Sequence, residues 1–116
     1  MARDTRKLSV TIERPAGEAY AFLCVPENFR KWASGVGDNE VRFSERNAHG
    51  VLDHSVRTAG GTEVYVPLRV IPKGERCSLE LTLFRQPGMT NERFASDTEW
   101  VMRDLLAAKR LLEATP

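Results

Sequence analysis

The sequence predicts an α+β fold in which an antiparallel β-sheet wraps a long C-terminal α-helix, with two short helices after the first strand. Three observations carry that expectation. Around Leu8–Ile12, and again over Cys77–Leu83, apolar and polar residues alternate, the period of a half-buried strand. Between these stretches, Val- and Ile-rich runs are separated by turn signals, Thr58-Ala-Gly-Gly and Pro72-Lys-Gly-Glu, so the strands follow one another as a meander. From Pro87 to Glu113 the period changes to that of a helix: Phe94, Thr98, Val101, Leu105, Ala108 and Leu112 fall on one stripe, while Ser96, Glu99, Arg103 and Arg110 fall opposite. Such a helix, roughly 24 residues, would run about 36 Å, and only a sheet is broad enough to back it.

The elements follow in order. Leu8, Val10 and Ile12 form the inward face of the first strand, which ends at Pro15. Pro15 to Cys24 reads as a short helix, with Ala19, Phe22 and Leu23 on one face and proline suited to its first turn. Pro26 starts a second, with Phe29 and Trp32 three residues apart, and Gly35 and Gly37 stop it. Val41–Ser44, Gly50–Arg57 and Glu63–Ile71 are the next strands, the last carrying Pro67, which demands an edge position or a bulge. With Cys77–Leu83 the count is about five. Gln86-Pro87-Gly88 makes a turn, Thr90 an N-cap for the long helix, and Met89 with Phe94 a hydrophobic staple. Glu99 and Arg103 stand at the spacing of a surface ion pair.

At 116 residues the chain is expected to form a single domain spanning 1–116. Hydrophobic residues make up 41% and charged residues 28%, an ordinary globular balance rather than a disordered one. The net charge of +1, with both signs interspersed, argues against a dedicated nucleic-acid binder. The start is polar, without a secretory apolar region, and no apolar run approaches the ~18–20 residues of a membrane span, so a cytoplasmic location is expected. Cys24 and Cys77 read as buried free thiols in a reducing compartment. With no Cys-x-x-Cys, His-x-x-x-His or Gly-rich phosphate loop, neither a metal nor another cofactor is expected.

Four segments carry a family resemblance: Val10 to Leu23 (VTIERPAGEAYAFL), Pro26 to Trp32 (PENFRKW), Gly50 to Val56 (GVLDHSV) and Leu83 to Met89 (LFRQPGM). In this order, strand, two short helices, meander and long helix, the chain resembles the helix-grip fold of the START-like (SRPBCC) superfamily, most of all its small bacterial polyketide cyclase/dehydrase-like members. The resemblance covers nearly the whole chain. It implies a cavity between sheet and C-terminal helix, but the superfamily also hosts lipid carriers, receptors and chaperone activators, so fold alone does not select a function. About five strands, where the fold commonly has six or seven, imply a small or partly open cavity.

Strand parity supplies the candidate residues. His54 lies between Leu52 and Val56 on an inward face. A histidine in that setting is either a general acid/base or a core residue hydrogen-bonded to backbone or a carboxylate. Arg85 continues the inward face of Leu79, Leu81 and Leu83; it would bind a ligand anion, or pair with Asp97 or Asp104. Those two aspartates border the helix stripe about 10 Å apart along its axis, too far for a shared proton or a single metal ion. Val64, Val66, Leu68 and Val70 share the core face, leaving Tyr65 and Arg69 outward unless a bulge at Pro67 flips the register. The candidate ligand-binding set is Phe29, Trp32, Leu52, Leu81, Leu83, Asp97, Val101, Asp104 and Leu105, with His54 and Arg85 as candidate catalytic groups.

Three functions stand open. The first is binding of an apolar or aromatic small molecule, polyketide- or lipid-like, with cyclase or dehydratase activity: His54 would shuttle a proton and Arg85 steady enolate charge. The second is a carrier or sensor that binds without chemistry. The third is a protein-interaction module or homodimer with a filled core, signalled by an outward Phe84 or Trp100.

Overall fold

The computed structural model describes residues 5–37 and 39–114; the two ends of the expected 1–116 domain, residues 1–4 and 115–116, lie outside them. The chain runs β1 (Thr5–Ile12), α1 (Ala16–Leu23), α2 (Pro26–Trp32), a 3₁₀ turn (Ser34–Val36), β2 (Glu40–Phe43), β3 (His54–Arg57), β4 (Glu63–Val66), β5 (Leu68–Lys73), β6 (Arg76–Phe84) and α3 (Asn91–Ala114). All strand pairings are antiparallel, in the orders β1-β6-β5 and β2-β3-β4.

Six strands appear where five were expected, and Pro67 is the reason. It cannot donate to a ladder, so the run Glu63–Ile71 breaks there into β4, paired with β3, and β5, paired with β6. The expected strand Gly50–Arg57 splits at the matching place. Its second half is β3; its first half lies along β5, with Leu52 N–H donating to Leu68 O (2.7 Å) and Val70 N–H to Gly50 O (2.8 Å). Gly50 sits at φ +71°, and a Cβ there would fall 2.3 Å from the Val70 carbonyl oxygen, so only glycine permits this approach. Two strands thus change partners at one level, and the sheet bends. Register does not flip: Leu68 and Val70 are buried, Val64 and Val66 half-buried, and Tyr65 and Arg69 face outward.

The bend is clamped from outside by Asp53. Its carboxylate accepts from Leu68 N–H (2.9 Å), from Tyr65 OH (2.5 Å) and from Arg69 through Nε (2.9 Å) and Nη2 (2.8 Å). The backbone N–H just past the proline therefore has a side-chain partner where the β3–β4 ladder ends. Arg69 first, then the Tyr65 hydroxyl and the Leu68 amide, hold the Asp53 carboxyl at about 2, well under its ordinary 3.8, against the opposing effect of burial.

The long helix starts as its sequence directs. Thr90 Oγ1 accepts from Arg93 N–H (3.0 Å), the N-cap bond, and Thr90 O accepts from Phe94 N–H (3.0 Å). Phe94, Leu105, Ala108 and Leu112 are buried along one stripe, while Ser96, Glu99, Arg103 and Arg110 are exposed. The expected Glu99–Arg103 pair does not form; Arg93–Asp97 (3.0 Å) and Lys109–Glu113 (2.6 Å) take the i,i+4 positions. α3 packs on β1 and α2. Leu105 and Leu112 join Ile12, Leu23, Leu68 and Leu79 in a solid core, each such side chain contributing about 1.5–3 kcal/mol by burial. Both cysteines are free thiols; Cys77 is buried and Cys24 half-buried.

Candidate functional site

Beyond that core, towards the start of α3, the sheet and helix part around a cavity of about 600 Å³ that opens to solvent. Its apolar wall is built from four directions: Phe29 and Trp32 of α2, Val56, Val64 and Val66 of the β3–β4 hairpin, Leu81 and Leu83 of β6, and Phe94 and Val101 of α3. Antiparallel register sets the sheet side of this wall, with Val56 opposite Val64 and His54 opposite Val66.

His54 is the cavity's buried polar group, 4% exposed. Its ring packs against Phe29 (centroids 5.1 Å apart) and Phe43 (5.2 Å). Nδ1 lies 3.0 Å from Leu52 O. A carbonyl oxygen only accepts, so Nδ1 carries the proton of the neutral ring and Nε2 presents its lone pair. Burial pushes the imidazole below its ordinary 6.5, and the Leu52 carbonyl and the Asp53 charge oppose this only in part. His54 is thus a buried histidine bonded to the Leu52 backbone that also lines the cavity.

Of the remaining expected residues, Phe29, Trp32, Leu81, Leu83, Asp97, Val101 and Asp104 all line the cavity. Leu52, Leu105 and Arg85 are placed elsewhere. Leu52 and Leu105 are buried in the solid core, because strand parity and a helix stripe separate inside from outside but not packed interior from open space. Arg85 corrects the inward reading: β6 ends at Phe84, and alternation loses its meaning once the strand stops. Its guanidinium donates to Asn91 Oδ1 (2.6 Å) and Met89 O (2.7 Å), bracing the turn that starts α3. Neither aspartate pairs with it. Asp97 binds Arg93 (3.0 Å), and Asp104 accepts from Ser34 Oγ (2.6 Å).

Two features escaped the sequence reading. One is the Asp53 clamp on the outer face, for which the signal was an acidic residue on the opposite parity to His54, matching outward Tyr65 and Arg69. The other is a strap at the cavity wall: Trp100 Nε1 donates to Ser34 Oγ (2.8 Å), which donates in turn to Asp104, tying α3 to the 3₁₀ turn across 66 and 70 residues of sequence. Phe84 and Trp100 are 38% and 49% exposed, and both belong to the cavity wall. Among the described residues there is no cluster of metal-ligating side chains, and no helix is long and apolar enough to cross a membrane.

No family model matches this chain, and no curated protein matches it. Solved structures do. DynU16, from the dynemicin biosynthetic locus, matches with a TM-score of 0.76 at 17% identity, over 95% of this chain and 47% of that one. BexL, the di-domain ARO/CYC of the BE-7585A biosynthetic pathway, gives 0.71 at 16%, over 97% and 48%. Ara h 8.0201 gives 0.66 at 11%, over 96% and 98%. The chain thus spans about half the length of DynU16 and of BexL. What these likenesses establish is the architecture alone: an antiparallel sheet gripping a long C-terminal helix, the helix-grip fold.

Proposed function

We propose that this protein binds an apolar or aromatic small molecule, polyketide- or lipid-like, in the cavity between its sheet and α3. The observation that carries the reading is the cavity itself. Its volume of about 600 Å³ falls in the roughly 300–1,000 Å³ range of small-molecule sites, and a largely apolar wall with a few polar groups is their usual construction. The structural likeness to DynU16, from a biosynthetic locus, and to BexL, an ARO/CYC from a biosynthetic pathway, favours a polyketide-like occupant. The open cavity weighs against the filled-core interaction module.

Catalysis is the extension of this reading. For cyclase or dehydratase chemistry, His54 is the candidate base: neutral near pH 7, with Nε2 as acceptor. Arg85 drops out of that scheme, since its guanidinium is engaged at the α3 start. Binding without turnover therefore needs the fewest parts. Native mass spectrometry of freshly purified protein, followed by denaturing extraction, tests the binding claim. An apolar small molecule that travels with the folded chain and is released on unfolding is expected. A chain that carries nothing, and takes up no added naphthalene, contradicts it.

A further inference from the structure

We propose that the cavity selects a neutral ligand bearing a hydroxyl group, seated with that hydroxyl against His54, and rejects the carboxylate of the same skeleton. The inference rests on the binding reading above and refines it.

The first support is the fixed orientation of His54. Leu52 O holds Nδ1 at 3.0 Å, so the far ring nitrogen, Nε2, is an acceptor without a hydrogen-bond partner among the described residues. An acceptor in an apolar wall seeks a donor, and a carboxylate has none to give. The second support is Trp32. Its indole Nε1–H is buried and unpartnered among the described residues, a rare condition that calls for a reason. Trp32 and His54 belong to one aromatic cluster, each ring 5.1 Å from the ring of Phe29. Enclosed as it is, the Trp32 N–H meets a ligand oxygen only if its side chain turns towards the cavity; the standing contact for a hydroxyl is His54 Nε2.

The third support is charge. Among the described residues lining the cavity, Arg93 is the one lysine or arginine; its side chain is 69% exposed and paired with Asp97. Asp97 and Asp104 add negative charge to the same wall. An anion entering here would be desolvated without a cation to meet it. A neutral hydroxyl pays no such penalty.

Three probes of one skeleton separate the effects: naphthalene, 2-naphthol and 2-naphthoate, titrated into ¹⁵N-labelled protein at pH 7.5. The two tryptophans give two indole signals, assigned with Trp100→Phe. 2-Naphthol is expected to bind about three- to tenfold more tightly than naphthalene, the net worth of one buried hydrogen bond. 2-Naphthoate is expected to bind at least about tenfold more weakly than 2-naphthol. The Trp32 indole signal should move downfield with 2-naphthol and not with naphthalene, and in His54→Phe the naphthol-to-naphthalene ratio should fall to about one. Equal affinity of naphthol and naphthalene, or naphthoate binding as tightly as naphthol, overturns the hydroxyl inference while leaving the cavity reading intact. Failure of all three probes to bind overturns both. The wild-type comparison decides the matter even if the His54 variant does not fold.

Discussion

Replacing Asp53 by alanine tests whether the bend that opens the cavity is held from outside. Asp53 is 7% exposed and accepts four hydrogen bonds. Its removal strands the Leu68 N–H, a loss of about 1–3 kcal/mol. The Arg69 interaction adds less, about 1 kcal/mol, because that side chain is 49% exposed. Asp53→Ala should therefore cost about 2–4 kcal/mol in urea unfolding followed by tryptophan fluorescence at pH 7, with Asp53→Asn, which keeps one acceptor for Leu68, falling between. The pH dependence follows with its sign. The folded-state value of about 2 lies below the unfolded 3.8, so the stabilisation is complete above about pH 4 and is lost as pH falls towards 2. The gap sets an upper bound near 2.5 kcal/mol, discounted to about 1–2 for the exposed arginine. Asp53→Ala should lack this acid loss. A variant within about 0.5 kcal/mol of wild type at pH 7, or one showing the same acid slope, would refute the clamp.

Other perturbations bear on the core and cavity. His54 is held below its ordinary 6.5 by burial, so the folded state binds its proton less readily than the unfolded chain. Thermal stability should be flat above about pH 7.5 and decline as pH drops below 6.5, and His54→Gln should flatten that decline. Val64→Trp, directed into the cavity, should weaken naphthalene binding at least about tenfold while leaving the circular-dichroism spectrum of the fold unchanged. Leu105→Ala, at a fully buried position outside the cavity wall, should cost about 2–5 kcal/mol in urea unfolding.

Most of the fold was legible because its signals are local. The α3 stripe, the Thr90 cap and the strand at Cys77–Leu83 each need only neighbouring residues, and all three appear in the structure, although Ser78, expected outward, is buried beside Cys77 and Leu79. The partner switch at Gly50–Asp53 and Pro67 was only half legible. Proline announced a break, but alternation runs through it undisturbed, and nothing local says that two strands exchange partners at the same level. The site divided along the same line. Parity and helix phase brought His54, Phe29, Trp32, Leu81, Leu83 and Val101 to one cavity. They could not tell cavity from packed core at Leu52 and Leu105, nor follow Arg85 past the end of its strand. Ser34 and Asp53 went unremarked because their partners are far away in sequence or cross a bend.

The central claim is that the space between sheet and α3 is a binding site for an apolar molecule. A titration of ¹⁵N-labelled protein with naphthalene tests it most directly, because each amide reports its own position. Saturable shifts gathered on Val64, Val66, Leu83 and Val101, with the outer-face residues Tyr65 and Arg69 unmoved, are the predicted result. Shifts confined to the outer face, or none up to the solubility of the probe, would contradict it.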